Sequence, residues 1–242
     1  MALRNWAMAI GAAAFSASSA YASEIKNVIV VIGDGMGPQQ IGLLNSYVKH
    51  APNSIYKDNR TSAWEKLAKE GVLGLAYTDA ANVLVTDSAA SATQFASGRM
   101  SGSEMIGADS DGHATETMLE IAAKMGKSTG LISDTRVTHA TPAGFAAHQT
   151  HRSKENAIAV DMLNNQVDVM LGGGLRHWIP KSANDKAGEV HAQLTRLTDG
   201  AVRIKSKRKD ERNLLGEASG QGYQLAFTKD QLAAASGDKL LG

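Results

Sequence analysis

Ser88 is the residue of this chain best placed for nucleophilic chemistry. It lies in Val85-Thr86-Asp87-Ser88-Ala89-Ala90-Ser91-Ala92-Thr93-Gln94-Phe95-Ala96-Ser97-Gly98, where a β-branched and apolar run (Val83 to Thr86) gives way at Asp87 to an Ala-rich segment closed by Gly98. That pattern predicts a strand end, a sharp turn and a helix start. A serine at a helix N-terminus faces N–H groups without intrahelical partners and the positive end of the helix dipole, which stabilise a phosphate or a developing alkoxide. An Asp or Ser ahead of an Ala-rich helix also has the plainer role of a cap. The company Ser88 keeps decides between the two.

Three further groups offer chemistry. Asp34 stands in Gly33-Asp34-Gly35-Met36-Gly37, where flanking glycines let an ion or ligand approach the backbone. A dinucleotide-binding phosphate loop needs Gly-x-Gly-x-x-Gly, and a carboxylate inside such a turn would repel a pyrophosphate, so Asp34 suits a cation better. Thr138-His139-Ala140-Thr141-Pro142 offers an imidazole and a hydroxyl two residues apart. His148, His151 and Arg152 follow; the planar, permanently charged guanidinium of Arg152 can hold two oxygens of a phosphoryl group at once. Taken singly, each of these residues has a structural role as its commoner use, since turn Asp and Thr cap and surface Arg is solvated.

The elements that must position them read as alternating strands and helices. Asn27 to Gly33 is a continuous β-branched run, expected as a strand buried on both faces, with Gln39 to Tyr47 helical after it. His50 to Ser62 reads as a polar surface excursion and Ala63 to Glu70 as a short helix. Val72 to Thr78 and Asn82 to Thr86 are expected as extended segments, and Gly98 to Gly112 as a loop. Ala114 to Met125 carries Met118, Leu119, Ala122 and Met125 at helical spacing, and Thr129 to Ser133 reads as a second buried strand. Lys154 to Leu163 is expected as a helix, Val167 to Leu171 and Tyr223 to Phe227 as strands, and Thr228-Lys229-Asp230-Gln231 as a capping box opening a last helix. The fold class that follows is α/β, with a mainly parallel central sheet flanked by helices. In such sheets ligands gather beyond the carboxyl ends of the strands, where Asp34, Ser88 and the residues after Asp134 are expected.

Composition bounds the setting. The chain has 242 residues, a net charge of +1 and no cysteine, which excludes a disulfide framework and thiolate chemistry. Six basic residues fall between Arg203 and Arg212; with no aromatic platform beside them they read as a solvated face, and no nucleic-acid partner is expected. Residues 1–22 carry Arg4, an apolar middle from Trp6 to Phe15 and Ala20-Tyr21-Ala22, the pattern of a secretory signal peptide. The expectation is an exported chain, periplasmic or extracellular, with no stable membrane span and one domain over 23–242.

In combination, Gly33-Asp34-Gly35-Met36-Gly37, the block from Val85 to Thr93, Gly107-Ala108-Asp109, Thr138-His139-Ala140-Thr141-Pro142 and Asp168-Val169-Met170-Leu171-Gly172-Gly173-Gly174 resemble an alkaline phosphatase from Asn27 onward. Having His139 two residues before Thr141 is similar to animal and some marine or cold-adapted bacterial members. The resemblance implies hydrolysis of small phosphate monoesters through a phosphoserine at Ser88, with two zinc ions and one magnesium ion as cofactors. It implies that one zinc deprotonates Ser88 and that the other stabilises the leaving oxygen and supplies hydroxide. Arg152 would hold the non-bridging oxygens, oriented by Asp87. Asp34 would bridge zinc and magnesium, Thr141 would bind magnesium, and His139 would reach it through a water. Relatives commonly form homodimers.

The family's remaining zinc and magnesium ligands lie in its C-terminal half, and nothing after Gly174 supplies them; His177 and His191 read as structural or solvated. The resemblance therefore implies the N-terminal portion of such an enzyme, with weak or no turnover expected of the 242 residues alone. The alternative to catalysis is a fragment that binds phosphate or a complementing chain. A sulfatase would need Pro two residues after its modified residue, which Ser88 lacks, and related phosphodiesterases generally use Thr in a different context.

Overall fold

The computed structural model describes residues 25–51, 53, 55 and 60–242. The signal-peptide pattern at 1–22 and most of the surface excursion after Ala51 lie outside the described residues. The chain divides into two compact units, 1–36 and 37–242.

In the first unit, Asn27 to Ile32 enters no ladder among the described residues, and its side chains face solvent, Val31 being 90% exposed. The buried strand expected there is not formed. A run of β-branched residues favours extended backbone, but a strand also needs a neighbour for its hydrogen bonds, and that is not a local property. Asp34 and Gly35 form the turn that follows, closed by the Met36 N–H donating to Gly33 O at 3.1 Å.

The second unit opens with α1 (Pro38–His50) and α2 (Ala63–Glu70). The segment 72–78 enters no ladder, and Val72, Leu75 and Tyr77 are 99% exposed; the extended segment expected at 82–86 is instead a turn at Asn82 followed by bends at Leu84 and Val85, with an isolated bridge between Ala80 and Val83. Next come α3 (Ser88–Ser97) and α4 (Met118–Lys124). The expected helix from Ala114 begins instead at Met118, because Thr117 and Glu120 form a capping box. Only Leu119 of its expected apolar stripe is fully buried, while Met118 and Met125 are exposed.

From here the elements alternate: β1 (Gly130–Arg136), α5 (Ala140–Ala146), α6 (Glu155–Asn164), β2 (Val169–Gly173), α7 (Glu189–Leu197), α8 (Leu214–Gly220), β3 (Gln224–Leu225), α9 (Lys229–Ala234) and β4 (Leu240–Leu241). The four strands form one wholly parallel sheet in the order β1-β2-β4-β3, with Leu131 opposite Met170 and Met170 opposite Leu241. Successive side chains of β1 point to opposite faces, and Leu131 is buried while Ile132 is 76% exposed, so the expectation of burial on both faces fails because one face of β1 is uncovered. The last helix is capped as expected by Thr228, whose hydroxyl accepts from the Gln231 N–H, although Gln231 returns its bond to the Phe227 N–H.

The core is built from α3, α5, α6 and the sheet. Fully buried Ile106, Ile158, Met162, Leu163, Met170 and Ile179 form its centre. α3 lies directly on α5, and Gly144 makes that approach possible: a Cβ there would meet Ala92 Cβ at 2.9 Å and the Thr93 nitrogen at 3.0 Å. The small-residue sequence of both helices thus sets how closely their backbones pack, and with it where their N-termini lie.

Candidate functional site

Asp87 is the N-cap of α3, with extended backbone, and its carboxylate accepts from the Ala89 N–H at 3.0 Å and the Ala90 N–H at 3.3 Å. These are two of the donors that a helix start leaves without partners. Ser88 follows as the first helical residue, as the sequence predicts, and is half-buried.

The same carboxylate takes two more donors from distant parts of the chain. The Glu104 N–H donates to Oδ1 at 2.9 Å, and Arg152 Nη1 donates to Oδ2 at 2.9 Å. Burial pushes the Asp87 carboxyl up, but the N–H groups of Glu104, Ala89 and Ala90 and the Arg152 guanidinium outweigh it and hold it below its ordinary value. Asp87 is therefore a fixed anion that aims a cation.

Arg152 continues the arrangement. Its Nη2 donates to His139 Nε2 at 3.2 Å, which makes that ring nitrogen the acceptor and leaves the imidazole proton on Nδ1. His139 is the N-cap residue of α5, and Thr141 is the second residue of that helix. One guanidinium therefore ties the N-cap residue of α3 to the N-cap residue of α5, and Ser88 and Thr141 each lie within two residues of the tie. The sequence separations, 65 and 13 residues, show how non-local this constellation is.

Glu104 is the residue that sequence reading missed. Its N–H holds Asp87 and its carbonyl accepts from the Arg152 N–H at 2.8 Å, so one residue joins both halves of the ion pair through its main chain. It does so at φ +64°, in the left-handed region. Its carboxylate pairs with His151 Nε2. A main-chain role leaves no signature in residue type; a Gly-Ser-Glu loop gave no signal for it.

His148 and His177 prove structural. His148 holds the Gly107 carbonyl at 2.6 Å and Glu120 at 2.8 Å, one on each ring nitrogen. Burial pushes its pKa down, yet the Gly107 carbonyl and the Glu120 and Asp161 carboxylates raise it above the ordinary value. His177 bonds to Asn156 at 2.8 Å and lies 3.3 Å from Glu155; burial, together with Arg176, Arg136 and Arg208, lowers it to about 4 against the pull of Glu155. Glu155 also accepts from Arg136 and Thr138, fixing the chain between β1 and His139.

As metal donors, Thr141 and Ser88 offer hydroxyl oxygens and His139 an imidazole whose Nε2 already faces Arg152. Asp34 is exposed in the first unit and is described there by itself. Among the described residues, the group of His and carboxylate side chains with metal-ligand spacing is instead Asp109, Asp111 and His113, on a surface turn. The donors that the resemblance assigned, a carboxylate, two hydroxyls and an imidazole, fit cation chemistry in kind.

Comparison with known proteins bears on this geometry. The alkaline phosphatase family model matches residues 25–242. The repressible alkaline phosphatase of Saccharomyces cerevisiae is 35% identical over 223 residues, covering 89% of this chain and 36% of the yeast protein. The crystal structure of a cold-active alkaline phosphatase from a psychrophilic Shewanella superposes with a TM-score of 0.65 at 30% identity, covering 87% of this chain and 44% of that one. A variant of the alkaline phosphatase from the Antarctic bacterium TAB5, with Mg bound in its M3 site, gives a TM-score of 0.55 at 31% identity, covering 69% of this chain and 41% of that one. The chain thus spans less than half the length of each of these relatives.

Proposed function

The chain belongs to the alkaline phosphatase family, and from that premise we propose that it contributes the nucleophile and the phosphate clamp of a phosphate monoester hydrolase. The observation that carries the reading is Arg152, held by Asp87 beside Ser88 and by His139 on the neighbouring helix.

In this reading the Ser88 hydroxyl attacks phosphorus and the bond from phosphorus to the ester oxygen breaks, leaving phosphoserine and an alcohol. Water then cleaves the phosphoserine, restoring the hydroxyl and releasing inorganic phosphate. The head of α3 turns the positive end of its dipole toward the phosphoryl oxygens, its Ala89 and Ala90 N–H groups being held by Asp87. Arg152 binds two non-bridging oxygens in its fork, and its orientation is already set when substrate arrives, because Asp87 cannot turn without breaking four hydrogen bonds.

The family is metal-dependent. The full complement is proposed as two zinc ions and one magnesium ion, with Asp34, Ser88, Thr141 and His139 as the donors from this chain, His139 acting through water. When bound, such metals supply Lewis acidity that lets a serine hydroxyl and a water lose their protons at alkaline pH. Small phosphate monoesters are the proposed substrates, and export and a homodimer the proposed setting. No helix among the described residues is long and apolar enough to cross a membrane.

A second reading follows from the donor count: the chain binds phosphate without turning over, or does so with a complementing chain. Release of a chromogenic phenol from its phosphate monoester, at alkaline pH with zinc and magnesium added, separates the two. Turnover abolished by Ser88→Ala supports the hydrolase. Phosphate binding that Arg152→Ala removes, with no turnover in either Ser88 form, supports the second.

A further inference from the structure

The basic run near residue 205 is not a uniformly solvated face. From Val202 to Arg208 burial alternates residue by residue: Ser206 and Arg208 are buried, Val202 and Ile204 are half-buried, and Arg203, Lys205 and Lys207 are exposed. The inner side is anchored. Ser206 Oγ donates to Ile179 O at 2.8 Å, and Arg208 donates twice to Asp210 at 2.7 Å and to the Asn156 and His177 carbonyls at 3.0 Å. Period-two geometry then turns the other three cations to one side.

That side faces a cavity of about 620 Å³, within the range of small-molecule sites. Arg203, Lys205 and Lys207 line it together with Arg136 and Arg176, and no Asp or Glu side chain does. Arg136 is paired with Glu155, but Arg176, Arg203, Lys205 and Lys207 have no carboxylate within ion-pair distance among the described residues. The cavity opens at the carboxyl ends of β2 and β4, where Gly173 and Gly242 lie, and its apolar wall includes Leu215, Phe227 and Trp178. Trp178, 2% exposed, backs that wall.

We propose that this cavity binds a small organic anion: a flat apolar body bearing two or more anionic groups, seated against Phe227 and held by Arg203, Lys205 and Lys207. None of Asp87, Ser88, His139, Thr141 and Arg152 lines it, so the proposal stands or falls independently of the hydrolase reading.

The test is calorimetric titration of the full chain with naphthalene disulfonate, with inorganic pyrophosphate as a probe that carries charge without a ring. The expected result is one disulfonate per chain, bound more tightly than pyrophosphate and weakened at least about tenfold by combining Arg203→Glu with Lys205→Glu. Both positions are exposed, and unchanged circular dichroism of the double variant shows that the loss is not unfolding. Arg152→Ala is expected to leave binding unchanged, since Arg152 does not line the cavity. Absence of one-to-one binding, indifference to the paired charge reversals, equal affinity for pyrophosphate, or loss in Arg152→Ala would each overturn the proposal.

Discussion

At the scale of single residues, two titrating ties act in opposite directions with pH. Asp87 has its folded pKa depressed, so its contribution is present above its unfolded value near 3.8 and is lost as pH falls toward the folded one. Asp87→Ala is expected to cost about 2 kcal/mol at neutral pH, from the lost cap and the stranded Arg152, with the difference from wild type shrinking in acid. Urea midpoints across that range measure it. His148 is the converse. Its folded pKa is raised, so the tie to Glu120 and Gly107 is fully present below its unfolded value of 6.5 and is lost as pH rises through the folded one. His148→Gln should therefore lower the melting temperature more at about pH 6 than at about pH 9. Asp87, its pKa lowered, stays ionised in alkali, so its ties carry no such loss there. Glu104 gives a third expectation. Its left-handed backbone costs about 1 kcal/mol, so Glu104→Gly should be tolerated. Glu104→Pro, which forbids that φ and removes the N–H on Asp87, should lose about 3 kcal/mol or more. Denaturation of the two variants side by side checks this.

At the scale of elements, the outcome depends on how local the signal was. Asp87 as a cap, Ser88 at the head of α3, and Thr228 as a cap were legible because a helix start is written in about four consecutive residues. The fold class was legible for a similar reason, as alternation of element types limits the sheet to parallel strands. Which strands pair was not legible. Val28 to Ile32 and Val72 to Tyr77 look as strand-like as Val169 to Leu171, yet only the last is in a ladder, and Leu240 and Leu241, which form β4, carry almost no signal. Glu104 was hidden because its work is done by main-chain atoms, and the split of the basic run because only an anchored backbone separates its two sides. The packing of α3 on α5 gives a prediction at this scale. Alanine is the better helix former by about 1 kcal/mol, but at position 144 its Cβ would press on the backbone of α3. Gly144→Ala should therefore destabilise by about 1–3 kcal/mol despite the gain in propensity, with the sign read from the urea midpoint.

At the scale of the molecule, the described chain presents more apolar surface than its core explains. Ile29 and Val31 in the first unit are 86% and 90% exposed, and Leu75, Leu84 and Val85 in the second are 99%, 92% and 86% exposed. Isolated exposed apolar residues are normal, but contiguous runs are not. Val28 to Ile32 combines β-branched residues with no charge and no proline, the composition that pairs strand to strand between chains, and β1 adds an end strand carrying exposed Ile132. Two driving forces thus point the same way: open backbone donors and acceptors on an edge, and apolar side chains beside them. The chain should associate with rising concentration, and light scattering across a dilution series measures it. Because net charge is only +1, electrostatic repulsion offers little opposition. Ile29→Lys with Val31→Lys, or Ile132→Lys alone, should increase the monomer fraction without lowering the melting temperature, since none of the three side chains is in the core. If association persists unchanged in all of these variants, neither the run from Val28 to Ile32 nor the edge of β1 drives it. The remaining exposed segment from Val72 to Val85 would then be the place to substitute next, because it adjoins Asp87 and an association there would bear directly on access to Ser88.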